Sequence, residues 1–242
     1  MSGDKNRVYV DIMATHNEVT GSCILCIVKY KNGETVKFVV DCGLFQEQKY
    51  EELNNSLPFK PEELNFVLVT HNHIDHIGRL PFLIKKGFNK NIYSSQATKI
   101  LMEPALQDSN KVIRNLAKRN NVSPLYNGDD VKKTLSQVIG CNYNEPIEVY
   151  PNIKVTFFMN GHLLGAALIL VQISSPYEKD INLLFTGDYK KDNIFFKVSD
   201  LPNWVLDLPL TVIQESTYGD QNLQEINYCF KNNIFQATQE KK

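Results

Sequence analysis

The sequence predicts a layered α/β (α+β) domain, sheets covered by helices. Three observations lead there. Short β-branched apolar runs open the chain, helical spacing takes over between residues 77 and 139, and strand-like runs return from Ile147. Most strand-like runs stop at a glycine or an ionisable residue. The 242 residues are 43% hydrophobic and 22% charged, an ordinary globular balance that excludes disorder, a collagenous chain and a coiled coil.

Taken in order, Val8–Ile12 reads as a first strand. Cys23–Tyr30 and Val36–Asp41 read as a hairpin whose turn holds Asn32-Gly33. Phe66–Thr70 is an apolar strand that stops at a histidine-rich loop. A helix is expected over Ile77–Lys86, closed by Gly87 in the position after its end. Ile92–Ser94 is a short strand. Ala97–Asn120 is helical, with Leu101, Ala105, Val112, Ile113 and Leu116 as its apolar positions and Pro104 kinking or dividing it. Asp129–Ile139 is a further helix. The remaining strands are Val155–Met159, Ala167–Ile173, Leu183–Thr186 and Leu210–Glu215.

Lysine plus arginine (26) nearly balances aspartate plus glutamate (27), so no global positive field advertises a nucleic-acid partner and such a partner must be argued from a site. No apolar run approaches the ~20 residues that span a bilayer, and the N-terminus lacks a signal-peptide pattern. A cytoplasmic location without a membrane partner is expected. The five cysteines are irregularly spaced, which argues against a disulfide framework. Cys23 and Cys26 form a CxxC inside a strand, where residues three apart face opposite ways; they cannot chelate one ion.

The strongest chemical signal is His71-Asn72-His73-Ile74-Asp75-His76, four metal-ligand side chains in six residues after an apolar strand. Imidazole nitrogen and carboxylate oxygen suit Zn²⁺. Four other strand ends carry an ionisable residue beside glycine or a small residue: Asp41-Cys42-Gly43, Gly161-His162, Thr186-Gly187-Asp188 and Glu215-Ser216-Thr217-Tyr218-Gly219. Together they suggest one sheet edge that gathers ligands into a pocket. His16 reads as exposed or locally hydrogen-bonded. Gly21-Ser22 could approach the pocket or simply bound a strand. Lys111, Arg114 and Lys118 share a helix face, with Lys85, Lys86 and Lys90 nearby in sequence; a solvated face is the default.

VDCG, HNHIDHIG, GHLLGAA and TGD, in this order and spacing, resemble the metallo-β-lactamase superfamily, and the following ESTYG resembles the first motif of its beta-CASP RNA-processing nuclease branch. The resemblance runs from about Val8 to Asp220. It implies a four-layer αββα sandwich with two zinc ions at one edge. His71, His73 and His162 would hold the first ion, Asp75 and His76 the second, and Asp188 would bridge them. Asp41 would orient a ligand histidine or the loop, Glu215 would position a ligand or the scissile phosphate, and Asp75 would handle the attacking water's proton. RNA is the implied substrate. No histidine follows His162, so the branch's later histidine motifs are absent and the sandwich is expected to be incomplete at its C-terminus. The domains expected are residues 1–215 and the start of a truncated beta-CASP region at 216–242. The second zinc would be weakly held and the nuclease impaired. A homo-oligomer or a complementing C-terminal fragment stands as a partner. A thioester or lactone hydrolase and a non-catalytic remnant remain as alternatives.

Overall fold

The computed structural model describes residues 8–175, 179–190, 195, 196, 198 and 200–217. Tyr218, Gly219 and Cys229, with the rest of the region expected to start a further domain at 218–242, lie outside them.

Six strands make the first sheet: β1 (Tyr9–Ala14), β2 (Ile24–Lys29), β3 (Thr35–Val40), β4 (Phe66–Leu68), β5 (Ile92–Ser95) and β6 (Val138–Cys141), side by side in sequence order. The first three are antiparallel, and β3 to β6 run parallel. Crossovers between the parallel strands carry the helices α1 (Ile74–Ile77), α2 (Leu80–Lys85), α3 (Gln96–Arg119) and α4 (Gly128–Gln137). The second sheet contains β7 (Ile147–Tyr150), β8 (Ile153–Met159), β9 (Ala167–Ile173), β10 (Ile181–Phe185) and β11 (Leu210–Ile213), ordered β11-β10-β9-β8-β7; a short helix, α5 (Asn203–Leu206), precedes β11.

Strand alternation explains how these pieces form four layers. In β3, Phe38 and Val40 join the core between the sheets, while Val39 joins the core under the helices. In β9, Ile169 and Val171 face the first sheet, while Leu168 and Leu170 face Val205 of α5. Such strands are buried on both faces and therefore read as continuous apolar runs. The same rule separates Cys23 from Cys26: Cys23 packs under the helices and Cys26 between the sheets. The αββα layering expected from the sequence is present.

Some local expectations need correction. The helix over Asp129–Ile139 ends at Gln137, and Val138–Cys141 is instead a strand, paired in parallel with Ile92–Ser95. The helix over Ile77–Lys86 is divided, with Gly78 and a fully buried Arg79 between α1 and α2. α3 runs unbroken through Pro104; the carbonyl that loses its partner belongs to Ile100, which is 70% exposed and open to water. The apolar face of α3 is as expected only in part: Ala105 and Ile113 pack against the core under the helices. Met102, Leu106 and Ala117 are buried with the polar Ser109 and Asn110, while Val112 and Leu116 are exposed. Ser109 holds its core position by hydrogen-bonding the buried Tyr126 hydroxyl at 2.9 Å.

The loop after β4 is clipped to the end of β3 and to the β1–β2 loop. Cys42 N donates to His76 O (2.8 Å), Leu44 N to Ile74 O (2.9 Å), Ser22 N to Asp75 O (2.8 Å) and Gly43 N to Ser22 O (2.8 Å). Gly43 is required by this close approach, because a Cβ there would lie 1.5 Å from Asp75 O. Gly43→Ala is expected to lower the unfolding free energy by about 3 kcal/mol, read by urea denaturation, because the backbone of the histidine-bearing loop must move to admit the methyl group.

Candidate metal centre

Parallel pairing brings the ends of β3 and β4 to one edge, so Asp41 and Thr70-His71 emerge side by side. β8 and β10 are both antiparallel to β9 and so run the same way. They end in Asn160-Gly161-His162 and Thr186-Gly187-Asp188. Ala167 N donates to Thr70 O at 3.0 Å and joins the two sheets at this edge. Gly187, with φ +52°, permits the approach; a Cβ there would lie 2.7 Å from Thr70 Cβ.

Four side chains converge here. One ligand atom from each of His71, His73, His162 and Asp188 lies within 4.8 Å of the others. His71 Nε2 is 3.1 Å and His162 Nε2 is 3.2 Å from His73 Nδ1. Asp188 Oδ2 is 3.9 Å from both His71 Nε2 and His162 Nε2. The other carboxylate oxygen, Oδ1, faces His76 Nε2 at 3.3 Å, so Asp188 looks toward both sets of histidines. Asp75 stands outside the group of four, with Oδ2 3.9 Å from His76 Nε2.

Asp41 holds this arrangement from behind. It is a non-glycine residue in the left-handed region (φ 61°), which an aspartate tolerates better than most. That turn aims its carboxylate at Thr70 and His76: Oδ1 accepts from Thr70 N (2.8 Å), and Oδ2 accepts from Thr70 Oγ1 (2.7 Å) and His76 Nδ1 (2.8 Å). Since the Thr70 hydroxyl proton is committed to Asp41, Thr70 Oγ1 accepts from His71 Nδ1 at 3.0 Å. This selects the tautomer that leaves the His71 Nε2 lone pair pointing into the cluster.

Asn160 is a residue the sequence reading missed. It is fully buried and ties both ligand loops of the second sheet together. Its Oδ1 accepts from His162 N (3.1 Å), and its Nδ2 donates to Thr186 O (3.1 Å) and Asp188 O (2.8 Å). Position just before Gly161-His162 was the only sequence signal. Glu215 plays a related part: its carboxylate accepts from Tyr189 N at 2.8 Å, next to Asp188, and its own N–H donates to Thr186 Oγ1 at 3.1 Å. Both Glu215 and Ser22 line a cavity of about 160 Å³ with His76, Asp188 and His16. His16 is half-buried and, as expected, stands outside the group of four ligand atoms. Its ring stands edge-on to Phe45 at 4.7 Å, and its buried Nε2 has no hydrogen-bond partner among the described residues.

The electrostatics fit a cation. Burial first, then the neighbouring imidazoles, holds His71 well below the ordinary imidazole range, so a neutral lone pair is available. Burial also lowers His162, against the upward pull of Asp188. Burial would raise Asp188, but the hydrogen bond and charge of His76, with His162 and His73, outweigh it and lower the carboxyl. His76 differs: burial pushes it down, yet Asp41 and Asp188 prevail and raise it to about 10. The lowered imidazoles of His71 and His162 beside the lowered carboxyl of Asp188 are the kind of donors that Zn²⁺ and similar divalent ions take.

Comparison with known proteins agrees with this geometry. The Metallo-beta-lactamase superfamily pattern matches residues 21–149, more than half the chain. The chain belongs to that superfamily. Ribonuclease TTHA0252 of Thermus thermophilus is 33% identical over 207 residues, 84% of this chain and 42% of the relative. Cleavage and polyadenylation specificity factor subunit 3-I of Arabidopsis thaliana is 29% identical, over 91% of this chain and 30% of the relative. Endoribonuclease YSH1 of Gibberella zeae is 33% identical, over 84% of this chain and 23% of the relative. The chain thus spans less than half the length of each. In this metallo-beta-lactamase chain, the matched stretch contains Asp41 and His71 to His76, whereas His162 and Asp188 come from the second sheet, beyond it.

Two outcomes are expected. Asn160→Ala and Asn160→Asp should each weaken Zn²⁺ binding by about 10- to 100-fold in competition with a chromophoric chelator, the second because it sets a carboxylate against two carbonyls. In the metal-free chain, the stabilisation lost on His76→Asn should be full at pH values below 6.5 and fade as the pH rises toward about 10, because the folded-state value exceeds the unfolded one. Urea denaturation of both proteins across that range measures it.

Proposed function

We propose that this chain carries the metal centre of a zinc-dependent ribonuclease of the beta-CASP type, which hydrolyses phosphodiester bonds in RNA. The observation that carries the reading is the convergence of His71, His73, His162 and Asp188 within 4.8 Å at one edge of the sandwich. Relatives named as ribonuclease and endoribonuclease support RNA as the substrate. In this reading residues 1–215 form the metallo-β-lactamase domain and 216–242 begin the next one. No helix among the described residues is long and apolar enough to cross a membrane. A cytoplasmic setting is part of this reading, and the free thiols of Cys23, Cys26, Cys42 and Cys141 are compatible with a reducing compartment.

The residues divide the work as follows. His71, His73 and His162 would hold the first zinc, Asp75 and His76 the second, and Asp188, which faces both sets of histidines, would serve either. When bound, two such ions supply Lewis acidity that acidifies a water and neutralises charge on phosphoryl oxygens. Asp41 keeps the His76 ring oriented through Nδ1. Asp75, reachable by solvent, takes the proton of the attacking water at Oδ2. Glu215 holds the Asp188 loop through Tyr189 N.

Purified chain loaded with zinc is expected to cleave a labelled single-stranded RNA slowly, to lose that activity in EDTA, and to lose both bound zinc and cleavage on Asp188→Ala. Cleavage that survives EDTA, or that Asp188→Ala leaves intact, would sink the proposal, as would hydrolysis of a thioester with none of RNA.

A further inference from the structure

A second feature of the fold lies far from the metal edge. Residues 109–128 contain Lys111, Arg114, Lys118 and Arg119 and no carboxylate, in a chain whose overall charge is -1. Three of these cations line a groove of about 600 Å³ on the last turns of α3, with Asn115, Ala117, Val122 and Pro124. Asn121, in the left-handed region (φ 53°), turns the chain back over the helix end, where Val122 N donates to Ala117 O at 2.9 Å. That reversal builds the far wall. Lys85 fixes it in place from α2, donating to Pro124 O (3.0 Å) and Leu125 O (2.8 Å), and brings a further positive charge to the rim.

Helix electrostatics accounts for only part of this charge. Cations in a last turn offset the partial negative charge of a helix C-terminus, which explains Lys118 and Arg119. Lys111 and Arg114 lie further back, where that effect has faded. Among the described residues, no carboxylate pairs with Lys111, Arg114 or Lys118. Asp108, three residues before Lys111, makes no ion pair with it, and Glu103 accepts instead from Gln107. Three exposed cations on one wall of a pinned groove are thus left without counter-charge.

We infer that this groove binds the sugar-phosphate backbone of RNA outside the reacting segment. The inference rests on the ribonuclease reading for the identity of the polyanion. At its other end α3 is fastened beside the metal loop, where Thr98 Oγ1 donates to Gly165 O at 2.9 Å, three residues after His162. Twenty residues of helix separate Thr98 from Lys118, roughly 30 Å of axis. A strand reaching both places must be long, so the groove favours extended RNA over short fragments. Its exposed apolar neighbours, Val112, Leu116 and Val122, are aliphatic, and the recognition is of phosphates rather than bases.

The test is binding by metal-free chain of a fluorescent single-stranded RNA of about 20 nucleotides, read by anisotropy across a salt series. The combined variant Lys111→Gln, Arg114→Gln, Lys118→Gln is expected to bind about tenfold more weakly at low salt and to flatten the slope of log K against log salt by about 2. All three side chains are exposed, so its melting temperature should stay put. Lys132→Gln with Lys133→Gln, on α4, should change neither affinity nor slope. An unchanged triple variant, or an equal loss in the α4 control, overturns the proposal. So does polyglutamate that binds wild type more tightly than RNA and is lost in the triple variant, which would assign the groove to an acidic protein. Because no metal is present, failure here leaves cleavage at the metal edge untouched, and failed cleavage leaves this result standing.

Discussion

The governing constraint is that nitrogen and oxygen lone pairs must be held against one another before any cation neutralises them. His73 Nδ1 sits 3.1 and 3.2 Å from two other imidazole nitrogens, and an ionised carboxylate closes the group. In the absence of an ion such an arrangement repels or must share protons, and it persists only if its surroundings over-determine it. Much of the local structure reads as that over-determination. Asp41 adopts a left-handed backbone in order to fix Thr70 and His76. Gly43 and Gly187 give up side chains so that loops can approach. Asn160 spends its whole amide on the backbones that carry His162 and Asp188.

The four layers make this rigidity available. β8 and β9 are buried on both faces, and the strands that end at the site cannot shift register without moving apolar side chains out of two cores at once. His71, His162 and Asp188 lie three residues past the ends of β4, β8 and β10 and inherit their stiffness, whereas side chains on long loops would have to be ordered on binding. The bond from Ala167 N to Thr70 O makes the two sheets one support for the centre rather than two.

Charge is distributed with a similar economy. His76 faces carboxylates on both ring nitrogens and is raised, whereas His71, one ring away, faces imidazoles in a buried setting and is lowered. Two histidines five residues apart therefore meet opposite fields. The metal edge gathers acids and imidazoles, and the far end of α3 gathers uncompensated cations. A near-neutral chain thus has two poles of different chemistry, which a net charge of -1 conceals.

What could be read from the residue string is what depends on short separations. The histidine loop, the strand-end carboxylates, the doubly buried strands and the opposed faces of Cys23 and Cys26 all follow from spacing within a few residues. The rest depends on partners far away in the chain. Val138–Cys141 is a strand because β5 lies beside it, and the helical spacing that precedes it overran the boundary. The polar Ser109 lies on the inward face of α3 with the Tyr126 hydroxyl as its buried partner, which no apolar count reveals. Asn160 acquired its place only when β8 and β10 came together around β9, which brings the backbones of His162 and Asp188 within reach of one amide. Side-chain chemistry is local, but which groups face each other across the sandwich is decided by register and packing over the whole domain.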